Sequence, residues 1–310
     1  MPRNVLLIIE TLTVFAVISI AAVGLQRLPM NETLRYVLYA PLLLFQGLWF
    51  YRFYIVGHEA SHKKLFPDSE KKNDFWGTVV LLPIMVPINV YRKIHYFHHG
   101  FNRKDVHTSA LDTFVVKKEP TAFQKIYHYI VWYLSVFFGG FFLHSLVSVI
   151  LFLFIPPQIT AKISPAFKNW SWRDQLKAIA LFSIGVLLHV SVYYGFGKDV
   201  YCYTLGYPML SFAWVLSLLV YIFHYDTTIG DQVRYNVRSV RRVPVMSWIL
   251  MNFNEHATHH QYPNIPWYEL PQKHRELPEE FAERNQQTRN FFMAILNQLK
   301  GPNIVHEHPH

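Results

Sequence analysis

The sequence predicts an all-α integral membrane protein, and three observations lead to that prediction. The 310-residue chain is 52% hydrophobic but only 16% charged, whereas soluble globular domains average roughly 25% charged residues. Several apolar runs approach or exceed the length of about 20 residues that a bilayer-spanning helix needs. Most of the charge falls between and after these runs. The composition therefore argues against a soluble enzyme and against a disordered chain.

Four apolar runs predict transmembrane helices arranged as two hairpins. The first hairpin comprises residues 5–23 and 36–56, and the second comprises residues 178–196 and 203–223, which a short polar loop joins. The first run lacks a clear small-residue cleavage site, so we interpret it as a retained span rather than a signal peptide. Its Glu10 is expensive at the bilayer centre and less so near an interface.

Two other apolar runs do not fit a simple crossing. Run 79–90 is too short to span and is interrupted by two prolines, so we expect a re-entrant or interfacial segment. Run 126–155 would be about 45 Å long as one helix, which is too long for a hydrocarbon core of about 30 Å. We therefore expect it to bend at Gly139-Gly140 and either return or lie along the interface.

The polar segments 57–124 and 224–310 predict a helical cap on one membrane face, within a single domain covering residues 1–310. The net charge of +9 is typical of cytoplasmic loops in a membrane protein and does not indicate nucleic-acid binding. The single cysteine, Cys202, excludes a disulfide framework and a thiolate metal cluster. A bound metal would need nitrogen and oxygen ligands.

Three histidine motifs lie in these polar segments, just beyond apolar runs. On a helix, residues three or four positions apart share a face. The first and last rings of each motif should therefore point together, with the middle ring of an HxxHH motif beside them. The first motif (HxxxH) contains His58 and His62, the second (HxxHH) contains His95, His98 and His99, and the third (HxxHH) contains His256, His259 and His260.

The number and type of these side chains predict a site for two metal ions. Neutral imidazole is a good ligand for iron, zinc and copper. Eight imidazoles are more than one ion takes, and so dense a pattern is implausible by chance. Two histidine-rich ions beside a bilayer favour O₂ chemistry over hydrolysis and favour iron, although imidazole alone does not distinguish iron from zinc.

The order and spacing of the motifs resemble the membrane-bound fatty acid desaturase superfamily. The stretch NEHATHHQYPNIPWYELPQKHREL, residues 254–277, carries the most specific part of a likeness that covers roughly residues 36–280. The resemblance implies that the eight motif histidines ligate two Fe ions on the cytosolic face. It also implies O₂ as co-substrate, an acyl chain in a narrow hydrophobic tunnel, and an external electron donor.

Departures from neighbouring subfamilies narrow these expectations. Three residues separate the histidines of the first motif, not four, which makes an acyl-CoA substrate less favoured. The absence of an HPGG haem motif predicts a separate donor of the ferredoxin or cytochrome b5 type. We therefore expect an acyl-lipid desaturase in a bacterial inner membrane or an endoplasmic reticulum, two locations that the sequence does not distinguish.

Two other functions compete with this expectation. A hydroxylase or ketolase acting on a carotenoid, alkane or other lipid shares the same superfamily plan, and the stretch 263–271 is compatible with carotenoid enzymes. A metal transporter would carry ionisable groups along its spans. The dense motifs lie outside the predicted spans, which disfavours that second alternative.

Residues beside the motifs are further candidates for the site. His224 follows the last apolar run, and the resemblance implies that a histidine there completes the ligand set. Its alternative role is that of an interfacial histidine bonded to headgroups or to Asp226. Ligating imidazoles commonly donate their second N–H to a carboxylate, so Glu59, Asp226 and Glu255 are candidate orienting partners. The alternative for these three is a solvated charge or an ordinary ion pair.

Overall fold

The computed structural model of the chain describes residues 2–108, 110–284, 288 and 290–306, and it is mostly helical, as predicted. The last residues of the predicted cap, 307–310, lie outside the described part. The described α-helices are α1 (Arg3–Arg27), α2 (Glu32–Ser61), α3 (Glu70–Leu81), α4 (Ile88–Phe101), α5 (Ala122–Phe137), α6 (Gly140–Phe154), α7 (Pro157–Ile163), α8 (Trp172–Phe196), α9 (Lys198–Tyr201), α10 (Tyr207–Leu219), α11 (Pro244–Ile249), α12 (His256–Gln261), α13 (Leu270–Arg275), α14 (Glu279–Arg284) and α15 (Phe291–Asn297).

One short strand pair adds to the helical fold that the sequence predicts. Strands β1 (Thr113–Val116) and β2 (Asn303–His306) pair in parallel, with Thr113 opposite Asn303. The pair ties the end of the described chain to the segment that follows the second histidine motif. Four residues per strand do not change the fold class.

Three described helices are long and apolar enough to cross a membrane: α1, α8 and the continuous helix Lys198–Leu219 that contains α9 and α10. The predicted second span is a 30-residue helix, α2, but it is not among the three. Gln46, Arg52 and several tyrosines lower its hydropathy. The count is three, or up to five if each of two bent helix pairs is one span. This count fits a multi-pass membrane protein.

The two runs that we expected not to cross simply are both bent. The axes of the segments Glu70–Ile84 and Ile88–Phe101 differ by 96°, and those of α5 and α6 differ by 85°. Gly139 lies at the second bend with φ +87°, a left-handed conformation that glycine adopts at little cost. The predicted bend in run 126–155 is therefore confirmed.

The chain divides into two compact units, and the single-domain interpretation stays a prediction. The first unit consists of Met1–Lys93 and Ser145–Val215. In it, the guanidinium of Arg52 on α2 lies 3.2 Å from the Glu10 carboxylate on α1 and donates to the Thr11 hydroxyl at 3.1 Å. The ion pair explains how an apolar helix tolerates Glu10, since a charge in such a place requires a partner.

Close helix packing positions the first histidine motif in this unit. A Cβ atom on Gly57, which directly precedes His58, would lie 2.5 Å from a methyl carbon of Leu81. Gly77 on α3 is similarly close to Ala60, at 2.8 Å. The two glycines therefore let α3 pack tightly against the end of α2.

The second unit consists of Ile94–His144 and Leu216–His310. Its apolar core contains Trp132, Val136, Phe141, Tyr221 and Tyr225. Beside that core, Arg103 and Asp112 form an ion pair in which both side chains are almost completely buried. The Tyr221 hydroxyl joins the pair by donating to Asp112 at 3.1 Å. This unit carries the second and third histidine motifs together with His224.

Candidate metal centre

The first histidine motif ends helix α2, and its two rings lie together as predicted. The ring centroids of His58 and His62 are 4.8 Å apart, and both side chains are buried. Arg92 donates to the carbonyls of Ser61 and Ala60 at 3.1 and 3.4 Å. Carbonyls at the end of a helix lack partners within it, so Arg92 holds this end in place.

Three histidines of the second unit converge through their Nε2 atoms, and we call them group A. On α4, the Nε2 atoms of His95 and His99 lie 2.9 Å apart. The Nε2 atom of His259 on α12 lies 3.0 Å from that of His99. An imidazole nitrogen carries either one hydrogen or one lone pair. A single hydrogen bond at Nε2 of His99 can therefore explain only one of its two close nitrogen contacts.

A second cluster in the same unit, group B, contains His98, His224, His256 and His260. Each offers one ring nitrogen, and the four nitrogens lie within 4.8 Å of one another. The Nε2 atoms of His224 and His256 are 3.1 Å apart. Metal–nitrogen bonds of about 2.1 Å place neighbouring ligands of one ion roughly 3 Å apart, so the spacing in both groups suits a metal ion.

The two HxxHH motifs exchange their middle rings between the groups. The first and last rings of the second motif lie in group A, while its middle ring, His98, lies in group B. The third motif does the reverse: His256 and His260 lie in group B and His259 lies in group A. The first and last residues share a helix face because they are four positions apart. The predicted pairing of first and last rings is confirmed. The sequence did not predict that the middle ring of each motif would lie in the other group.

The chain segment around Asn236 brings His224 to the third motif. The backbone N–H of Arg238 donates to the Phe223 carbonyl at 2.8 Å, and that of Val240 donates to the Asn254 carbonyl at 2.8 Å. The segment thus lies between the two parts of the chain that carry His224 and His256. It holds the two rings together although they are distant in sequence.

The second ring nitrogen of His224 faces a backbone carbonyl. The Nδ1 atom lies 3.5 Å from the Asn236 carbonyl oxygen, and a carbonyl oxygen only accepts hydrogen bonds. A hydrogen on Nδ1 would make this contact a hydrogen bond and would leave a lone pair on Nε2, the atom that faces His256. The same carbonyl accepts from the Asn102 side chain at 2.7 Å, which links it to the end of α4.

Burial keeps two of the group B imidazoles, those of His224 and His260, neutral. Burial, followed by the neighbouring His99 and His256, holds the pKa of His260 well below its usual value of 6.5. Burial and the neighbouring His98 likewise hold the pKa of His224 well below 6.5. Metal ligation requires the neutral ring, so both side chains are in the form that binds metal.

One buried atom shows that a metal fits this donor set. Nε2 of His260 is buried and has no hydrogen-bond partner among the described residues. A buried polar atom without a partner costs free energy, and a metal ion among the four nitrogens of group B would remove that cost. The seven histidines of the two groups offer imidazole ligands only, a set that suits iron, zinc and copper.

The three candidate orienting carboxylates have different surroundings. Glu255 is buried and contacts Nδ1 of His274 at 3.0 Å, and this hydrogen bond raises the pKa of His274 above its usual value. The Asp226 carboxylate is about half exposed and lies 3.6 Å from the Lys300 ammonium. Glu59 is buried beside His58. Their role as orienting partners of the ligands stays a prediction.

Sequence reasoning missed the residues that support these groups. Arg103 follows the second motif closely and pairs with Asp112, while its second guanidinium nitrogen donates to the Thr227 carbonyl at 2.9 Å. Asp112 also accepts from the backbone N–H of Asp226 at 2.7 Å. The chain just after His224 is therefore fixed by a buried ion pair. No pattern in the sequence singles out Asp112, since both Asp112 and Arg103 lie outside the helices and strands.

Comparison with known proteins agrees with this arrangement. A profile of the fatty acid desaturase family matches residues 35–292, which is most of the chain. The chain belongs to the fatty acid desaturase family. The match includes all three histidine motifs and His224, and the superfamily resemblance is thereby confirmed.

Relatives in this family come from distant organisms. A putative sphingolipid delta(4)-desaturase/C4-monooxygenase of Caenorhabditis elegans is 28% identical over 248 residues, or 78% of this chain. An endoplasmic reticulum omega-3 fatty acid desaturase of Vigna radiata var. radiata is 24% identical over 271 residues, or 82% of this chain. An sn-1 acyl-lipid omega-3 desaturase (ferredoxin) of Synechocystis sp. is 27% identical over 228 residues, or 73% of this chain.

The matched part covers only a portion of each relative. It amounts to 59% of the nematode protein, 67% of the plant protein and 51% of the cyanobacterial protein. The chain thus spans about three fifths of the length of the relatives that it matches. The activities in their names are those of the longer proteins.

Proposed function

We propose that this fatty acid desaturase family member introduces a double bond into a lipid acyl chain, with O₂ as oxidant and two iron ions as cofactor. The observation that carries the proposal is the exchange of middle rings between groups A and B. It divides seven imidazoles of the second unit between two separate sets of converging nitrogens. Two neighbouring imidazole-bound ions suit O₂ chemistry better than transport, which needs ionisable groups along the spans.

Each group would hold one of the two ions. Group B supplies four histidines, including His224. Group A supplies three, and we assign His58 and His62 as the remaining ligands because the HxxxH motif resembles the first ligand pair of the family. Nine histidines would then bind the two irons. When bound, the irons supply the oxidising power to remove hydrogen from an unactivated C–H bond, which side chains cannot do by acid–base chemistry.

The protein's own contribution is position, protonation state and exclusion of water. Burial keeps the rings of His224 and His260 neutral, so their lone pairs are available. The Asn236 carbonyl orients His224, and outer contacts of this kind are typically worth 10- to 100-fold in metal affinity or activity. The buried Arg103–Asp112 pair holds the chain after His224, which limits the movement of that ligand.

The substrate and the electron donor are the finer parts of the proposal. We assign a membrane-lipid acyl chain as substrate, since the three to five apolar helices fit a protein embedded in a bilayer. A separate donor of the ferredoxin or cytochrome b5 type would deliver electrons at the cytosolic face. One relative carries the word ferredoxin in its name, which supports a soluble donor.

Hydroxylation is a second candidate, and one comparison favours it. The nematode relative is named as both a desaturase and a C4-monooxygenase. Removing a second hydrogen gives an alkene, whereas adding oxygen gives an alcohol. The two outcomes share the same metal ligands and differ in how the chain is placed.

Mass spectrometry of host lipids after expression separates these functions. We expect new double bonds with the wild-type chain and none with His259→Ala, which removes a group A ligand. The matched control is His107→Ala, because His107 is an exposed histidine outside both groups. New hydroxyl groups in place of double bonds would support the second candidate. Unchanged product formation by His259→Ala would exclude the proposed metal centre.

A further inference from the structure

One short helix carries ligand candidates of both histidine groups. Helix α12 is six residues long, and it supplies His256 and His260 to group B and His259 to group A. A helix of this length is not stable by itself in water, because isolated helices shorter than about 12–15 residues are marginal. Contacts with the rest of the second unit must therefore fix its rotation, and an error in that rotation would displace rings of both groups.

Two buried polar side chains lie on another side of this helix. Glu255, which directly precedes α12, is 6% exposed, and Thr258 within it is fully buried. Residues two positions apart do not share a helix face, so Thr258 lies on a different face from His256 and His260. The side-chain amide of Asn254 donates to one carboxylate oxygen of Glu255 at 3.0 Å. Buried polar groups are generally hydrogen-bonded, so the other oxygen and the Thr258 hydroxyl require partners as well.

His274 on α13 meets both of these side chains through one ring nitrogen. Its Nδ1 atom lies 3.0 Å from Oε2 of Glu255 and 3.2 Å from the hydroxyl oxygen of Thr258. His274 belongs to neither group A nor group B. Its ring therefore connects α13 to α12 on the side that Glu255 and Thr258 share, without taking a place among the converging nitrogens.

The chain around the two helices fixes this contact from both ends. Before α12, the side-chain amide of Asn252 donates to the Trp267 carbonyl at 3.2 Å, which ties the returning chain to the start of the third motif. Leu270 is 3% exposed and anchors α13 in the interior. In the first turn of α12, the backbone N–H of Ala257 donates to the Ser239 hydroxyl at 3.2 Å. The helix is thus held at its first turn by one segment and along its side by the ring on α13.

We propose that His274 is a positioning residue of the metal centre. Through Glu255 and Thr258 it fixes the rotation of α12 and thereby places ligands of both ions. The effect on metal rests on the proposed function, whereas the contact itself does not. Partners outside the ligand set commonly change metal affinity by about 10- to 100-fold. The loss here should fall on both ions, because α12 serves both groups.

Iron affinity of the purified full-length chain tests this role. Competition with a chelator measures the affinity, and Mössbauer spectra of ⁵⁷Fe-loaded protein separate the two ions. We expect His274→Ala to weaken the binding of both ions by about 10- to 100-fold. His274→Asn should restore most of the affinity, since its amide nitrogen can donate from about the position of Nδ1. The matched control is Gln272→Ala, because Gln272 is exposed on the same helix and donates to Glu276 at 3.1 Å. The control should bind both ions as the wild type does.

Three results would overturn the positioning role. The first is unchanged affinity of His274→Ala for both ions. The second is loss of only one ion, since a rotated α12 must disturb both groups. The third is a failure of His274→Asn to restore binding, which would show that the bulk of the ring matters and not the hydrogen bond at Nδ1.

A measurement without metal separates this inference from the proposed function. Melting temperatures are compared for iron-free His274→Ala, Glu255→Gln and the double variant. We expect the double variant to melt at about the temperature of the less stable single variant, because both substitutions break one contact. Fully additive losses would overturn the contact. A wild-type chain that binds no iron would overturn the proposed function and the effect on metal, while the melting temperatures would still decide whether His274 and Glu255 are coupled.

Discussion

The Nε2 atoms of His224 and His256 lie 3.1 Å apart, although 32 residues separate them in the chain. His224 follows the helix Lys198–Leu219, whereas His256 begins the short helix α12. The segment between them contains Asn236 and forms backbone hydrogen bonds to the chain beside each of the two histidines. His224 is thereby placed among the histidines of the second and third motifs, where we predict that it is a ligand.

Replacing His224 should remove one iron ion. We expect His224→Ala to lower the iron content from about two to about one per chain and to lower product formation at least about 100-fold. The matched control is His189→Ala. His189 is also buried, but its Nε2 lies 2.9 Å from the Pro83 carbonyl in the first unit. Full iron content and normal turnover in His224→Ala would remove this residue from the site.

Adjacent histidines of one motif should affect different ions. His98 lies in group B and His99 lies in group A, so each alanine substitution should disturb one iron and spare the other. Mössbauer spectra of the two ⁵⁷Fe-loaded variants should therefore lose different components. The double variant His98→Ala/His260→Ala should resemble His98→Ala, because both changes fall in group B. Identical spectra for His98→Ala and His99→Ala would contradict two separate groups.

The buried ion pair behind His224 should contribute strongly to stability. Asp112→Asn leaves the Arg103 guanidinium buried without its counter-charge, which typically costs about 3–5 kcal/mol. The matched control is Lys300→Met, because the contact between Lys300 and Asp226 is exposed and such pairs contribute about 0–1 kcal/mol. Thermal unfolding of the two variants in the same detergent measures the difference. Equal melting temperatures would show that the buried pair is not a stabilising contact.

The stability of the iron-free protein should fall as the pH falls. The folded state holds the pKa values of His224 and His260 well below the ordinary 6.5. Below about pH 6.5 the unfolded chain therefore binds more protons than the folded chain, and folding becomes less favourable. Iron binds only the neutral rings, so the loaded protein should keep its melting temperature to a lower pH. Melting curves with and without a chelator test this, and a melting temperature of the iron-free protein that rises on acidification would contradict it.

Much of the helical fold could be predicted from local composition. Apolar length alone located α1, α8 and the helix Lys198–Leu219, because a span needs a continuous run. The bend at Gly139 followed from the excess length of run 126–155. Helix α2 was predicted as a span, but it is not among the three helices that are apolar enough to cross a membrane. One of its polar side chains, Arg52, is paired with Glu10 on another helix. The strand pair β1–β2 joins distant segments and leaves no periodic signal in either of them.

The sequence by itself determined which side chains are candidate ligands and which of them share a helix face. Spacings of three and four residues are local geometry, so the pairs His95–His99 and His256–His260 follow from the motifs. Only the tertiary structure decided that His98 and His259 change groups and that His224 joins group B. These placements depend on hydrogen bonds between segments far apart in the chain, such as the one from Asn102 to Asn236, and no local pattern encodes such contacts.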